Sequence, residues 1–166
     1  MTTGTRADLI DRPQREVTRE EDFVAWARGQ AALLRRGELE TVDREGVAEE
    51  LEDMTKRERR ELESRLKILL QHLLKWEFQP QRRSRSWLLT IREQRNQLGK
   101  LLRDSPSLKN DVAWAIEENY STAAGDAAVE TRMPRGAFPP LCPYPQADVL
   151  DPGFLPGPPA DDEKLL

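Results

Sequence analysis

The chain has 166 residues, 34% of them charged, with a formal net charge of −4 and a single cysteine and a single histidine. That length allows one domain with a real core and argues against two. One cysteine excludes a disulfide framework and a cysteine-built zinc site and suits a reducing compartment, so cytoplasmic residence is expected; no apolar run approaches the roughly 18 residues a membrane span needs.

Residues 1–17 read as a variable lead, without an apolar h-region. Thr18 and Glu21 then have capping-box spacing, in which each side chain can satisfy an orphan amide at a helix start. Phe23, Trp26, Ala27, Leu33 and Leu34 recur on one face of this first predicted helix, and Gly37 is placed to end it. Asp43 is a good N-cap for a second helix, with Glu45 in its first turn complementing the dipole. Pro80 stops that helix after Gln79, giving roughly 36 residues, or about 54 Å at 1.5 Å per residue. Thr55 to Glu61 contains no apolar residue, yet it is built of good helix formers without Gly or Pro, so one continuous helix is expected.

Ser84 or Ser86 can cap a third helix carrying Trp87, Leu88, Ile91, Leu98 and Leu102. Ser105-Pro106 is an N-cap followed by proline, the start signal for a fourth helix with Leu108, Val112, Ile116, Tyr120, Ala123 and Ala127 inside. Arg132 and Pro134 close it. No segment alternates with period two, so no strand is predicted. Nine of the twelve prolines fall in the last 33 residues, a density that no helix survives. The expectation is therefore an all-α protein: a four-helix bundle-like domain over residues 18–133, with one long helix. A Pro-rich extended segment over 134–150 is pinned by Phe138, Leu141, Cys142 and Tyr144, and a mobile tail follows over 151–166.

Charge is strongly segregated. Residues 1–55 carry −6, residues 56–103 carry +9 and residues 104–166 carry −7. Either the ends neutralise the middle inside the fold, or the middle presents a basic surface to an acidic partner. Arg82, Arg83, Ser84, Arg85, Ser86, Trp87 and Arg92 form a candidate anion or partner surface, because guanidiniums, hydroxyls and helix-start amides all favour negative groups. The bland alternative is an inter-helix turn whose tryptophans are core and whose arginines cap carbonyls. A second cluster, Gln30, Glu49, Glu50, Glu58, Arg65 and His72, interrupts apolar faces and is a candidate buried polar network, with Glu61–Arg65 as an i,i+4 pair. It is read as structural, with an enzyme site of Glu and His as the alternative. One histidine without a Glu-x-x-His pair does not complete a metal ligand set, and no cofactor motif or catalytic constellation is present. A sequence pI near 5.3 disfavours nucleic acid. The functional expectation is a non-enzymatic protein-interaction or regulatory module with an acidic protein partner or as a homodimer; nucleic-acid or phosphate binding through the basic turn is the alternative.

The combination of Asp22-Phe23-x-x-Trp26, Gln30-Ala31-x-Leu33-Leu34-Arg35-x-Gly37, Val47-Ala48-Glu49-Glu50-Leu51-Glu52, His72-Leu73-Leu74-Lys75-Trp76, Arg83-Ser84-x-Ser86-Trp87 and Phe138-Pro139-x-x-Cys142-Pro143-Tyr144 resembles the bacterial family called domain of unknown function 29. The resemblance covers about residues 18–150. It implies a small, cytosolic, all-helical protein, supplies no catalytic residues, and places the Phe138–Tyr144 element within the fold.

Overall fold

The computed structural model describes residues 17–159. These residues form five α-helices and no strand, the all-α class read from the sequence. The chain divides into two compact units after Met54, inside its longest helix.

The first unit holds α1, Phe23–Arg36, and the beginning of α2, Arg44–Phe78. Asp22, not Thr18, is the N-cap of α1: its carboxylate accepts the Ala25 amide at 3.0 Å. Thr18 instead closes a preceding turn, with its carbonyl accepting from Glu21 and Asp22 and its amide donating to the Glu21 carboxylate. Gly37 ends α1 with φ +75°, where its amide and that of Glu38 satisfy the Leu34 and Leu33 carbonyls. Asp43 organises the return. One carboxylate oxygen accepts the Gly46 amide at 2.9 Å, the other the Trp26 indole N–H at 3.2 Å, and the Asp43 amide donates to Gln30 Oε1 at 2.8 Å. Trp26 and Val42 are the hydrophobic residues this unit buries among its described residues.

α2 runs unbroken for 35 residues, and every residue from Thr55 to Glu61 is exposed. In the second unit α2 contributes Leu62, Leu66, Leu69, Leu70, Leu73, Leu74 and Trp76 to one core. α3, Arg85–Asp104, and α4, Val112–Thr131, complete it with Ile91, Leu98, Val112, Ile116 and a run of alanines that allows close approach. Burying one such large side chain is worth about 1.5–3 kcal/mol.

The fourth helix departs from its predicted start. Ser105 ends α3, and Pro106–Asp111 is 3-10 helix before α4 begins at Val112. The Ser105 hydroxyl donates to Glu58 at 3.3 Å and caps no amide, so the turn closes through the tighter Leu108 N–H to Ser105 carbonyl bond of 3.1 Å.

The Pro-rich end also differs from a purely extended segment. Phe138 and Tyr144 are buried, with the Phe78 ring tilted against Phe138 at 5.3 Å between centres, but Leu141 is 79% exposed and does not pin the segment. A fifth helix, α5, Gln146–Leu150, fits in the proline-free stretch between Pro145 and Pro152 and buries Val149. Five residues are too few to show a periodicity in sequence. Residues 151–159 continue with Pro156 buried, and the expectation of mobility for 160–166 lies outside the described residues.

Candidate functional site

The basic turn between α2 and α3 is built by two side chains that bond to backbone. Gln79 is buried and donates to the Thr131 carbonyl at 3.2 Å, fixing the end of α2 against the end of α4. Ser84 caps α3 by accepting the Trp87 amide at 3.3 Å, and its hydroxyl lies 2.9 Å from that of Ser86.

Arg83 turns inward. Its Nε donates to the Trp76 carbonyl at 2.8 Å, Nη1 to the Pro158 carbonyl at 2.7 Å and Nη2 to the Pro156 carbonyl at 3.3 Å, with the guanidinium 5.0 Å from the Trp76 ring centre. Burial lowers its pKa, with Glu77 opposing. Gly157 serves this approach: at φ +82° it adopts a backbone that side chains disfavour, and a Cβ there would meet Arg83 Nη2 at 3.0 Å.

The seven candidate positions therefore divide. Arg83 and Ser84 are engaged in the fold, and Trp87 is half-buried with the Lys75 ammonium 4.5 Å from its ring centre. Arg82, Arg85, Ser86 and Arg92 are exposed.

Arg95, a basic residue of α3 outside the seven candidate positions, serves the fold. It is buried, donating from Nε to Val149 at 2.9 Å, from Nη1 to Phe154 at 2.7 Å and from Nη2 to Asp148 at 3.2 Å, in each case to a carbonyl. The available signal is an arginine at a core register of α3, between Ile91 and Leu98.

The polar cluster is distributed among local contacts, and the expectation of a buried network is corrected: Glu49 and Glu58 are exposed, and Gln30, Glu50, Arg65 and His72 are half-buried. In the first unit, Gln30 accepts from Asp43, and Arg19 reaches Glu49 at 2.9 Å and Glu50 at 3.8 Å. In the second, Glu58 meets Ser105, and Arg65 pairs with Glu61 at 2.8 Å. His72 is half-buried, with Nδ1 2.9 Å from the Ile68 carbonyl; burial lowers its pKa, Lys75 adds to this, and the Ile68 carbonyl and Glu130 oppose it. No group of three His, Cys, Asp or Glu side chains is placed to hold a metal ion among the described residues.

Concavities among the described residues include one in each unit with a largely apolar lining. In the second unit a cavity of about 630 Å³ is lined by Ile116, Tyr120, Pro140, Leu141, Cys142 and Tyr144. Its phenol hydroxyls are engaged, Tyr120 donating to the Pro139 carbonyl at 2.8 Å and Tyr144 to Glu77 at 2.6 Å. Burial pushes the Tyr120 phenol up to about 12 and raises the Cys142 thiol as well. In the first unit a groove of about 180 Å³ runs between α1 and α2, lined by Trp26, Ala27, Ala31, Leu34, Val47 and Leu51.

A helical protein without a strand among its described residues, its basic turn divided between an inward Arg83 and exposed Arg82, Arg85 and Arg92, is the class these features define. The chain belongs to the family described as domain of unknown function DUF29, whose sequence profile matches residues 19–155. No curated protein and no solved structure matches it. No helix among the described residues is long and apolar enough to cross a membrane.

Proposed function

We propose that this protein is a cytoplasmic, non-catalytic protein-interaction module whose contact surface is the open face of the α1–α2 hairpin. The observation that carries the reading is an uncovered apolar stripe. Val24, Leu34, Leu51 and Met54 are 54%, 46%, 58% and 52% exposed, and they continue the groove lined by Ala27, Ala31 and Val47. Helices normally bury such a stripe, and contiguous exposed apolar surface marks a site of association. The test is capture from a source lysate by the full chain and by a Leu34→Glu, Leu51→Glu double variant. Loss of a specific co-purifying protein in the variant supports the reading; identical captured sets overturn it.

A second reading is phosphate or nucleic-acid binding at the start of α3. Its support is the exposure of Arg82, Arg85 and Arg92 around the capped helix terminus. It predicts salt-sensitive mobility shifts with DNA or RNA that Arg85→Glu and Arg92→Glu abolish; absence of a shift at low salt removes it.

A further inference from the structure

We infer that the outward face of α3 binds the phosphate backbone of a nucleic-acid duplex. The inference rests on the second reading above and deepens it: the contact runs the whole length of the helix, and the ligand is double-stranded.

The first observation is alignment. At 100° per residue, Leu89, Arg92, Asn96, Gly99, Lys100 and Arg103 all lie within about 60° of Arg85 around α3. Arg85 and Arg103 are five turns apart on one line, a separation of about 27 Å. Arg85, Arg92, Asn96, Lys100 and Arg103 are all exposed. Glu93 and Asp104 stand about 80° and 100° round, both on the same border. The Glu93 carboxylate accepts from Gln97 at 2.6 Å.

The second is availability. Elsewhere in this unit basic groups are consumed by the fold: Arg83 and Arg95 by carbonyls, Lys67 by Asp126 and Lys75 by Glu130. The side chains of Arg85, Arg92, Lys100 and Arg103 make no ion pair or hydrogen bond among the described residues. The acidic groups behind the sequence pI of about 5.3 do not cancel this row, because charges beyond roughly 8–10 Å are screened at physiological salt.

The third is Gly99. A glycine inside a helix weakens it, and this one stands on the stripe with the Arg103 guanidinium folded back over it, where a Cβ would sit 3.4 Å from Nη1. Bare backbone at that point lets a phosphate strand come close.

The composition of the stripe selects the ligand. A protein interface needs an apolar centre, and here there is exposed Leu89 with half-buried Leu88 at the edge. The same shortage rules against insertion into a membrane surface. Single strands are gripped by stacking on aromatic rings, but Trp87, the aromatic residue of α3, is on the far side of the helix and half-buried against Lys75. A duplex backbone asks only for cations in line, and about 27 Å spans about eight base pairs at 3.4 Å each. Phosphate contacts carry no sequence information, so binding is sequence-independent.

The experiment is fluorescence anisotropy of the full chain with a short mixed-sequence DNA duplex across a salt series. Four neutralised phosphates give a log–log slope of binding on salt of about −3 to −4. Arg85→Gln, Arg92→Gln, Lys100→Gln and Arg103→Gln should each make that slope shallower by about 1, with the far-ultraviolet circular dichroism unchanged. Arg36→Gln, an exposed charge on α1, should leave it as it is. An equal effect of Arg36→Gln, a single strand of the same length bound as tightly as the duplex, or poly-L-glutamate bound as tightly would each overturn the proposal. If Arg85→Gln and Arg92→Gln act but Lys100→Gln and Arg103→Gln do not, the extended contact fails and anion binding at the start of α3 survives. Absence of binding at low salt removes both.

Discussion

Arg132 sits at the end of α4 with φ +59°, a left-handed conformation that favours glycine, while its amide satisfies the Ala128 and Val129 carbonyls. Replacing it with glycine removes the Cβ penalty and keeps those bonds, so Arg132→Gly should raise stability by about 0.5–1 kcal/mol in urea unfolding. Arg95 lies at the opposite extreme. Its three donors fan out to three carbonyls, and a lysine ammonium cannot reproduce that planar spread. Arg95→Lys should cost about 2–4 kcal/mol by the same measurement. His72 gives the pH dependence. Burial holds its pKa below the ordinary 6.5, so the unfolded chain binds more protons as pH falls through that value, and folding stability declines with it. The urea midpoint of wild type should drop between pH 7.5 and pH 5.5, and His72→Gln should flatten that part of the drop.

The helices show what a sequence can and cannot disclose at the scale of an element. Gly37, Asp43 and Ser84 carry their boundaries in their own chemistry, and all three cap or end a helix as their residue types dictate. Thr18 and Ser105 have the right chemistry but use it elsewhere: Thr18 in a turn, and Ser105 toward Glu58. A hydroxyl advertises capacity for a bond, not which bond it makes. The same holds for Arg83, whose local context fits an anion but whose donors go to Pro156 and Pro158, more than seventy residues away. No local pattern contains that partner. The contact predicts coupling: Arg83→Ala and truncation after Leu155 should each lower stability, and together by less than the sum of the two. Full additivity in a double-mutant cycle would show that Arg83 and the segment act independently.

At the scale of the whole chain, the segregated charge resolves within the second unit largely into folding. Arg59 lies 4.2 Å from the Trp114 ring centre and 4.0 Å from Asp111; Lys67 meets Asp126 at 3.3 Å; Lys75 pairs with Glu130. The acidic partners come from the −7 segment, so the positive middle and the negative end are in part each other's counterions. Lys75 is buried in its pair, but the more exposed pairs of Arg59 and Lys67 contribute little singly, and most of the stability resides in the leucine-rich core of α2. Leu70→Ala, at a fully buried site, should therefore cost about 2–5 kcal/mol and dominate any single surface charge reversal. The all-α class was legible because hydrophobic spacing reports which faces are buried. The hairpin groove was not, because an apolar stripe looks the same in sequence whether the fold covers it or leaves it open.

Arg83 and Arg95 between them address Asp148, Val149, Phe154, Pro156 and Pro158 through carbonyl oxygens alone. A carbonyl is common to all twenty residue types, so these two side chains are blind to the spelling of the segment they hold. Tolerance is thereby distributed unequally across the contact. Asp148 and Pro158 are interchangeable wherever the backbone path survives, Val149, Phe154 and Pro156 are held by their own packing and Gly157 by its positive φ, whereas the donors have no substitute of the same shape. A substitution scan should find freedom at Asp148 and Pro158 and none at Arg95, although both sides of the contact contribute to the same bonds.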